Sequence, residues 1–416
     1  MNIHVVNRGE TLYSIARRYG VSPNLLALNN GINRSLAVGE TLVILYPKVV
    51  HTAVPGDSIY SIAAMHGTTV RNIYKNNIFL KGSPDIFAGQ TIVIEYSDTP
   101  LRSAVSNGYA YDFINRDTLN TALPYLTFVS PFTYGITESG NLVIPNDEYI
   151  RNRAANYGTS TLLHLSTLSE TGGFDSGLAE FALNNQTVRD RLINEISRVV
   201  YENGFSGVDV DFEFIGGENA ESYGRFLNAL RSTGLFVIVA AAPKTSSDQP
   251  GSLYEGHDYA VLGQSADFVM PMLYEWGYTY GPPMAVAPLP QVKRALDYAL
   301  SEIPPQKILM GIPNYGYDWT LPFVSGKSKA KSIGNNEAVN IAIRYGAEIK
   351  FDETAASPYF NYTDEYGRIH EVWFEDARSI LAKFQLIINS GLAGMGYWNI
   401  MRPFPQLWLL QNALFT

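Results

Sequence analysis

The sequence predicts an α/β fold: a (β/α)8 TIM barrel with a small α+β insertion after its seventh strand, preceded by two small βααβ units. Three observations predict it. The first hundred residues repeat themselves at a fixed offset. Beyond them, eight apolar strand-like segments alternate with amphipathic helices, which is the rhythm of a parallel barrel. A doubly wound sheet is the alternative, but the chain lacks a phosphate-type glycine loop such as GxGxxG.

Composition limits the possible functions. The 416 residues suit two or three domains, and 46% hydrophobic content supports a sizeable core. The formal charge of −9, without a Lys/Arg cluster, argues against nucleic acid as a partner. With no cysteine there is no disulfide, thiolate metal site or cysteine nucleophile. The six histidines are scattered and none falls in an HExxH spacing, so no metal or other cofactor is expected. The opening MNIHVVNRGETLYSIA lacks the basic and apolar regions of a signal peptide, and no run reaches the ~18 apolar residues of a membrane helix. The 27 Tyr and 5 Trp lean toward a carbohydrate surface.

VNRGETLYSIARRYGVS from Val6 aligns with AVPGDSIYSIAAMHGTT from Ala53, and Asn29-Asn30 with Asn76-Asn77. Each unit reads strand, helix, helix, strand, over residues 1–47 and 48–97. A Thr or Ser after Gly-Glu or Gly-Asp caps the first helix, and a β-branched segment closes the unit. Residues 98–416 form the large domain. Its strand candidates are SNGYAYDF, LTFVSPFTY, TLLHLST, GVDVDFE, FVIVAAAP, DFVMPMLY, KILMGIPNY and GMGYW. Among the helices, Val188, Leu192, Ile196 and Val199 share one face, as do Val292, Leu296, Ala299 and Leu300. The insertion is expected at about 320–372, with a hairpin turning near Asp364–Gly367. Its Tyr359, Phe360, Tyr362 and Trp373 either wall a groove or pack the insertion.

The fourth strand carries the chemistry. Asp209, Asp211 and Glu213 alternate with Val208, Val210, Phe212 and Phe214, so the acids share one face and the apolar residues pack under the outer helices. A barrel interior is normally filled by branched apolar side chains, and buried carboxylates are costly unless paired or protonated. Three acids there point to function. Neighbouring carboxylates raise one another's pKa, so one stays protonated as a general acid. Glu213, last in the row, stands nearest the barrel mouth.

The repeats GETLYSIA, Asn-Asn and GETLVI resemble LysM modules, which bind N-acetylglucosamine glycans. The resemblance implies sugar grooves at Gly9–Leu12 with Asn30–Arg34, and at Gly56–Ile59 with Asn77–Lys81. The residues implied are Gly9, Thr11, Leu12, Asn30, Gly56, Ser58, Ile59 and Asn77. The acidic strand resembles the DxxDxDxE signature of family 18 glycoside hydrolases, with Ser206 in place of the first Asp, at the deep end of the row. That resemblance implies a retaining mechanism in which the substrate's acetamido oxygen attacks the anomeric carbon. It implies Glu213 as acid/base, Asp211 as orienter of the acetamido group, Asp209 as a partner that tunes Asp211 by a shared proton or hydrogen bond, and Tyr274 as donor to the acetamido carbonyl. PMLYEWG is similar to the family's MxYD, with Met272, Tyr274 and Glu275 in place of the final Asp. GIPNYGYDW is similar to GxPxYG, bringing in Asn314 and Tyr315. GMGYW places Trp398 as the floor of the sugar site, with Tyr109 and Tyr111 beside it.

Two such modules ahead of such a barrel resemble the spore germination enzymes of endospore-forming bacteria, including cortical-fragment-lytic N-acetylglucosaminidases. The expected partner is a peptidoglycan or chitin-like N-acetylglucosamine glycan, with no nucleic acid and no membrane, and the expected state is a monomer at the spore or cell wall. A chitinase of the same mechanism and a catalytically silent glycan-binding protein stay open as alternatives.

Overall fold

The computed structural model describes residues 1–416. The first unit runs Asn2–Val5, Leu12–Tyr19, Pro23–Asn30, Thr41–Ile44, its two strands pairing antiparallel. The second runs Pro47–Thr52, Ile59–Met65, Val70–Asn76, Thr91–Tyr96. Thr11 and Ser58 cap their helices in reciprocal capping boxes with Ser14 and Ser61. The Asn pair has a structural role. Asn30 gives its amide to the carbonyls of Leu26 and Val43 and accepts from the Val43 N–H at 2.7 Å. Asn77 does the same with Ile73 and Val93. Each side chain thus acts as an extra strand partner that ties the second helix to the closing strand.

The barrel strands are Val105–Tyr111, Phe128–Phe132, Ser160–Ser166, Gly207–Asp211, Phe236–Ala241, Phe268–Pro271, Leu309–Pro313 and Gly394–Trp398. Numbered one to eight, they lie in spatial order 6-5-4-3-2-1-8-7, every pairing parallel. A parallel bridge between Val269 and Ile308 joins six to seven and closes the barrel. Glycines at strand eight and strand seven make room inside. A Cβ on Gly396 would lie 2.1 Å from the Met270 sulfur, and one on Gly311 would lie 2.9 Å from the Tyr274 ring.

The insertion starts earlier than expected. Gly316–Thr320 pairs with Ile369–Trp373, so GYDWT belongs to the insertion rather than to the end of strand seven. It forms a five-stranded antiparallel sheet with helix Asn335–Tyr345 and a small core around Ile333, Phe360, Val372 and Phe374. Packing engages all four of its aromatic residues, though Tyr359 and Trp373 stay half-buried. Phe360 is fully buried, Tyr362 stacks on His370 and Tyr345, and Tyr359 stacks on Trp373 at 4.7 Å. The hairpin turns at Asp364–Gly367 as expected, with Gly367 at φ 76°.

The two N-terminal units are docked on the barrel. The C-terminal helix Pro405–Leu414 packs against the second helices of both units, and apolar residues of the second unit share one continuous core with the barrel. Gln406 hydrogen-bonds Thr41, and Ile349 of the insertion gives its N–H to the Val38 carbonyl at 2.9 Å. Arg71 donates to three barrel carbonyls, those of Pro124, Leu126 and Gly158, at 2.7–3.0 Å. Charged hydrogen bonds of this kind contribute about 1.5–3 kcal/mol. Arg71→Ala should therefore lower the thermal midpoint of the whole chain. Separate early melting of residues 1–97, leaving the barrel transition where it was, would show that the docking contacts contribute nothing to the barrel.

Candidate active site

Strand four holds the acids at the centre of the barrel. Asp209 is fully buried and accepts from Asn107 Nδ2 at 2.9 Å and Ser130 Oγ at 2.8 Å. It makes no hydrogen bond to Asp211, contrary to expectation. Alternate residues of a strand stand about 6.6 Å apart, so partners come from neighbouring strands instead. The other Asp209 oxygen has no hydrogen-bond partner within the protein, nor has Asp211 Oδ1. The second Asp211 oxygen lies 3.5 Å from His164 Nε2 on strand three. Burial drives the His164 pKa down to about 4, so its ring is neutral at pH 7, with Nδ1 2.7 Å from Thr133 Oγ1. Ser206 lies exposed just before the strand, at the barrel's far rim rather than deep in the row.

Glu213 follows the strand's end and opens onto the cleft beside Asp211. Burial raises its carboxyl well above the usual range, and the Asp211 charge raises it further. Burial also raises Asp211 and Asp209. The alternation read from the sequence ends here. Val208, Val210 and Phe212 are fully buried, but Phe214 takes φ 57° and is 52% exposed, its ring facing the cleft. Left-handed backbone is rare for such a residue and costs energy, and such strain concentrates at functional sites.

The cleft holds about 550 Å³ above the acids. Tyr109, Tyr111, Met272, Tyr274, Glu275 and Trp398 all line it. Trp398 meets Tyr109 at 5.7 Å, Phe132 at 5.0 Å and Tyr111 at 6.3 Å between ring centroids, which fixes its indole as a flat aromatic wall. Glu275 is a second left-handed residue, at φ 68°, held by the hydroxyls of Tyr315 at 2.5 Å and Tyr317 at 3.0 Å. Burial raises its pKa, while those two hydrogen bonds pull it down.

Several expected residues have other places. Tyr315 reaches the cleft only through Glu275. Asn314 is buried and gives its amide to the carbonyls of Asn399 and Arg402, so it ties strand seven to the loop after strand eight. In the N-terminal units Ile59 is core, and Asn30 and Asn77 are spent on their own strands, so none of the three offers a side chain to a ligand. Gly9, Thr11 and Gly56 lie at the surface, with Leu12 and Ser58 half-buried. His164, Asn107, Ser130 and the cleft aromatics Phe132, Phe174 and Phe214 were missed. A signal for His164 exists: Leu162, His164 and Ser166 alternate on strand three, so its polar pair faces inward with the acids.

The model for glycosyl hydrolases family 18 matches residues 102–402. The chain belongs to this family. The LysM domain model matches residues 4–45 and 51–95. Among similar proteins of the family is the cortical fragment-lytic enzyme of Bacillus subtilis (strain 168), 40% identical over 100% of this chain and 98% of that protein. The crystal structure of the Bacillus megaterium QM B1551 spore cortex-lytic enzyme SleL is similar over 100% of this chain and 98% of its own, at TM-score 0.84 and 37% identity. A chitinase from Chromobacterium violaceum ATCC 12472 covers 74% of this chain and 99% of its own, at TM-score 0.69 and 25% identity. The family 18 domain thus makes this chain a glycosidase. Gly311→Ala tests how tightly its cleft is set. The new methyl would also meet the Pro271 carbonyl at 2.6 Å, so Tyr274 must shift, and turnover should fall about tenfold with a loss of 1–3 kcal/mol in stability. Unchanged turnover in a stably folded variant would mean that the position of Tyr274 does not limit the reaction.

Proposed function

We propose that this protein hydrolyses the N-acetylglucosaminyl-β-1,4-muramic (or muramic-lactam) bond of spore-cortex peptidoglycan, with retention and with the substrate's acetamido group as nucleophile. The observation that carries the reading is the Asp211–Glu213 pair, with carboxyls raised by burial, at the floor of an aromatic cleft in a chain whose full-length relatives are cortex-lytic. Glu213, protonated near neutral pH, donates its proton to the glycosidic oxygen as that C–O bond breaks. The acetamido oxygen closes on the anomeric carbon and gives an oxazolinium ion. Asp211 orients the acetamido N–H, and Tyr274 donates to its carbonyl side. Glu213, now a carboxylate, takes a proton from water as the water opens the ring. Trp398 stacks under the sugar, and Asp209, anchored by Asn107 and Ser130, sits as a fixed polar group below Asp211 on the same face.

The LysM modules hold the chain on glycan strands, placing it at the spore or cell wall as a monomer with avidity from two modules. Mass spectrometry of muropeptides released from cortex fragments is the direct test, with Glu213→Gln as control. Products ending in reducing N-acetylglucosamine, absent from the control, are expected. Cleavage of chitin oligomers alone would make the protein a chitinase. Binding of both glycans with cleavage of neither would make it a silent glycan-binding protein.

A further inference from the structure

The cleft has one basic side chain among its lining residues, Arg294, on helix Leu289–Glu302. Arg294 is exposed, whereas most arginines near acids in this chain are engaged in ion pairs, such as Arg151 with Asp147 and Arg378 with Asp376. It also lines a second groove of about 430 Å³ between this helix and the insertion, and is the residue the groove and the cleft share. Gln291 and Trp373 line that groove as well. Its walls are fixed: Leu289 gives its N–H to the Ala355 carbonyl at 2.9 Å, and Asp352 spends a carboxylate oxygen on the N–H groups of Thr354 and Ala355. Lys293 and Asp297 flank an adjoining depression that shares Pro290, Arg294 and Thr354 with this groove.

A linear neutral glycan such as chitin needs only the cleft. A muramic residue that is not closed to its lactam differs in one respect: its 3-O-lactyl group branches from the chain and ends in a carboxylate, either its own or that of an attached peptide. A side groove with an arginine at its junction with the cleft matches both features of that branch. Guanidinium groups bind carboxylates bidentately, and an indole face suits the lactyl or alanyl methyl.

Resting on the cortex reading above, we propose that Arg294 and the groove between its helix and the insertion receive the carboxylate-bearing branch of a muramic residue, and so select peptidoglycan over chitin. The test compares full-length protein, Arg294→Ala and Arg294→Lys on two substrates: purified muropeptide fragments and neutral chitin oligomers. For Arg294→Ala, kcat/KM on muropeptides should fall about 10–100-fold, chiefly through KM, with a several-fold smaller loss on chitin oligomers, which meet Arg294 only as part of the cleft wall. Arg294→Lys should recover part of the loss, since charge returns without the fork. Raising the salt should erode the wild-type preference for muropeptides and leave Arg294→Ala unaffected. Equal loss on both substrates, or loss on neither, would overturn the proposal while the cortex reading stands. Wild-type protein that cuts only chitin oligomers would overturn both.

Discussion

Glu213→Gln is expected to lower turnover of cortex fragments by about 10²–10⁴-fold, the usual contribution of a positioned general acid, with substrate binding retained. The change keeps the shape and removes only the transferable proton. Residual turnover within tenfold of the wild type would mean that another group protonates the leaving oxygen. The raised Glu213 pKa sets the pH dependence: kcat/KM should decline as pH rises through the folded-state value, near or above neutrality, rather than at the ordinary carboxyl value of 4.5. The same shift bears on stability. A carboxyl raised on folding means that the folded protein keeps a proton which the unfolded chain releases. Its stabilisation is complete below the unfolded pKa of about 4.5 and is lost as pH rises through the folded value. Glutamine carries no such loss. The variant should therefore melt above the wild type at pH 8, by on the order of 2 kcal/mol, and match it near pH 4. A wild type more stable than the variant at pH 8 would contradict the burial argument.

Asp211→Asn should cost about 10²–10³-fold in kcat, since the acetamido group loses the anion that orients it and spreads its charge. A second readout separates this role from general damage to the cleft. Asp211 is one of the two causes that raise Glu213, so its neutralisation moves the alkaline limb of the pH profile to lower pH. A folded variant with reduced kcat but an unmoved limb would break the electrostatic link between the two residues.

How much of this was legible in the sequence follows from how far each signal reaches along the chain. The strands, the helical faces and the acid row are periodic patterns within about 20 residues, and a strand or helix enforces them locally; the repeat is a set of such local patterns met a second time. Asp209 and Asp211 lie on strand four with Glu213 just past its end, and the expected alternation continues through Phe212 because the strand's period of two persists to Asp211. It failed at Phe214, where a left-handed residue beyond the strand's end turns the ring to the cleft.

The partners of the acids come from elsewhere. Asn107 and Ser130 reach Asp209 across 102 and 79 residues of sequence, and His164 reaches Asp211 from strand three. No local period encodes such separations; barrel closure alone brings them together. The same holds for residues that the sequence placed in sugar sites and the fold spent otherwise. Asn30 and Asn77 look like ligands because they recur at one spacing, but what recurs is the strand they bond. Asn314 sits in a motif on strand seven, yet its amide is taken by the loop after strand eight.

By itself, then, the sequence determined the barrel, the two LysM units and the row of acids on one face of strand four and its end. Tertiary structure alone decided which polar groups remain free for substrate and how the modules sit on the barrel. It also opened a side groove at Arg294. A side chain's type is local, whereas its hydrogen-bond partners and exposure are set by elements that meet only when the chain closes.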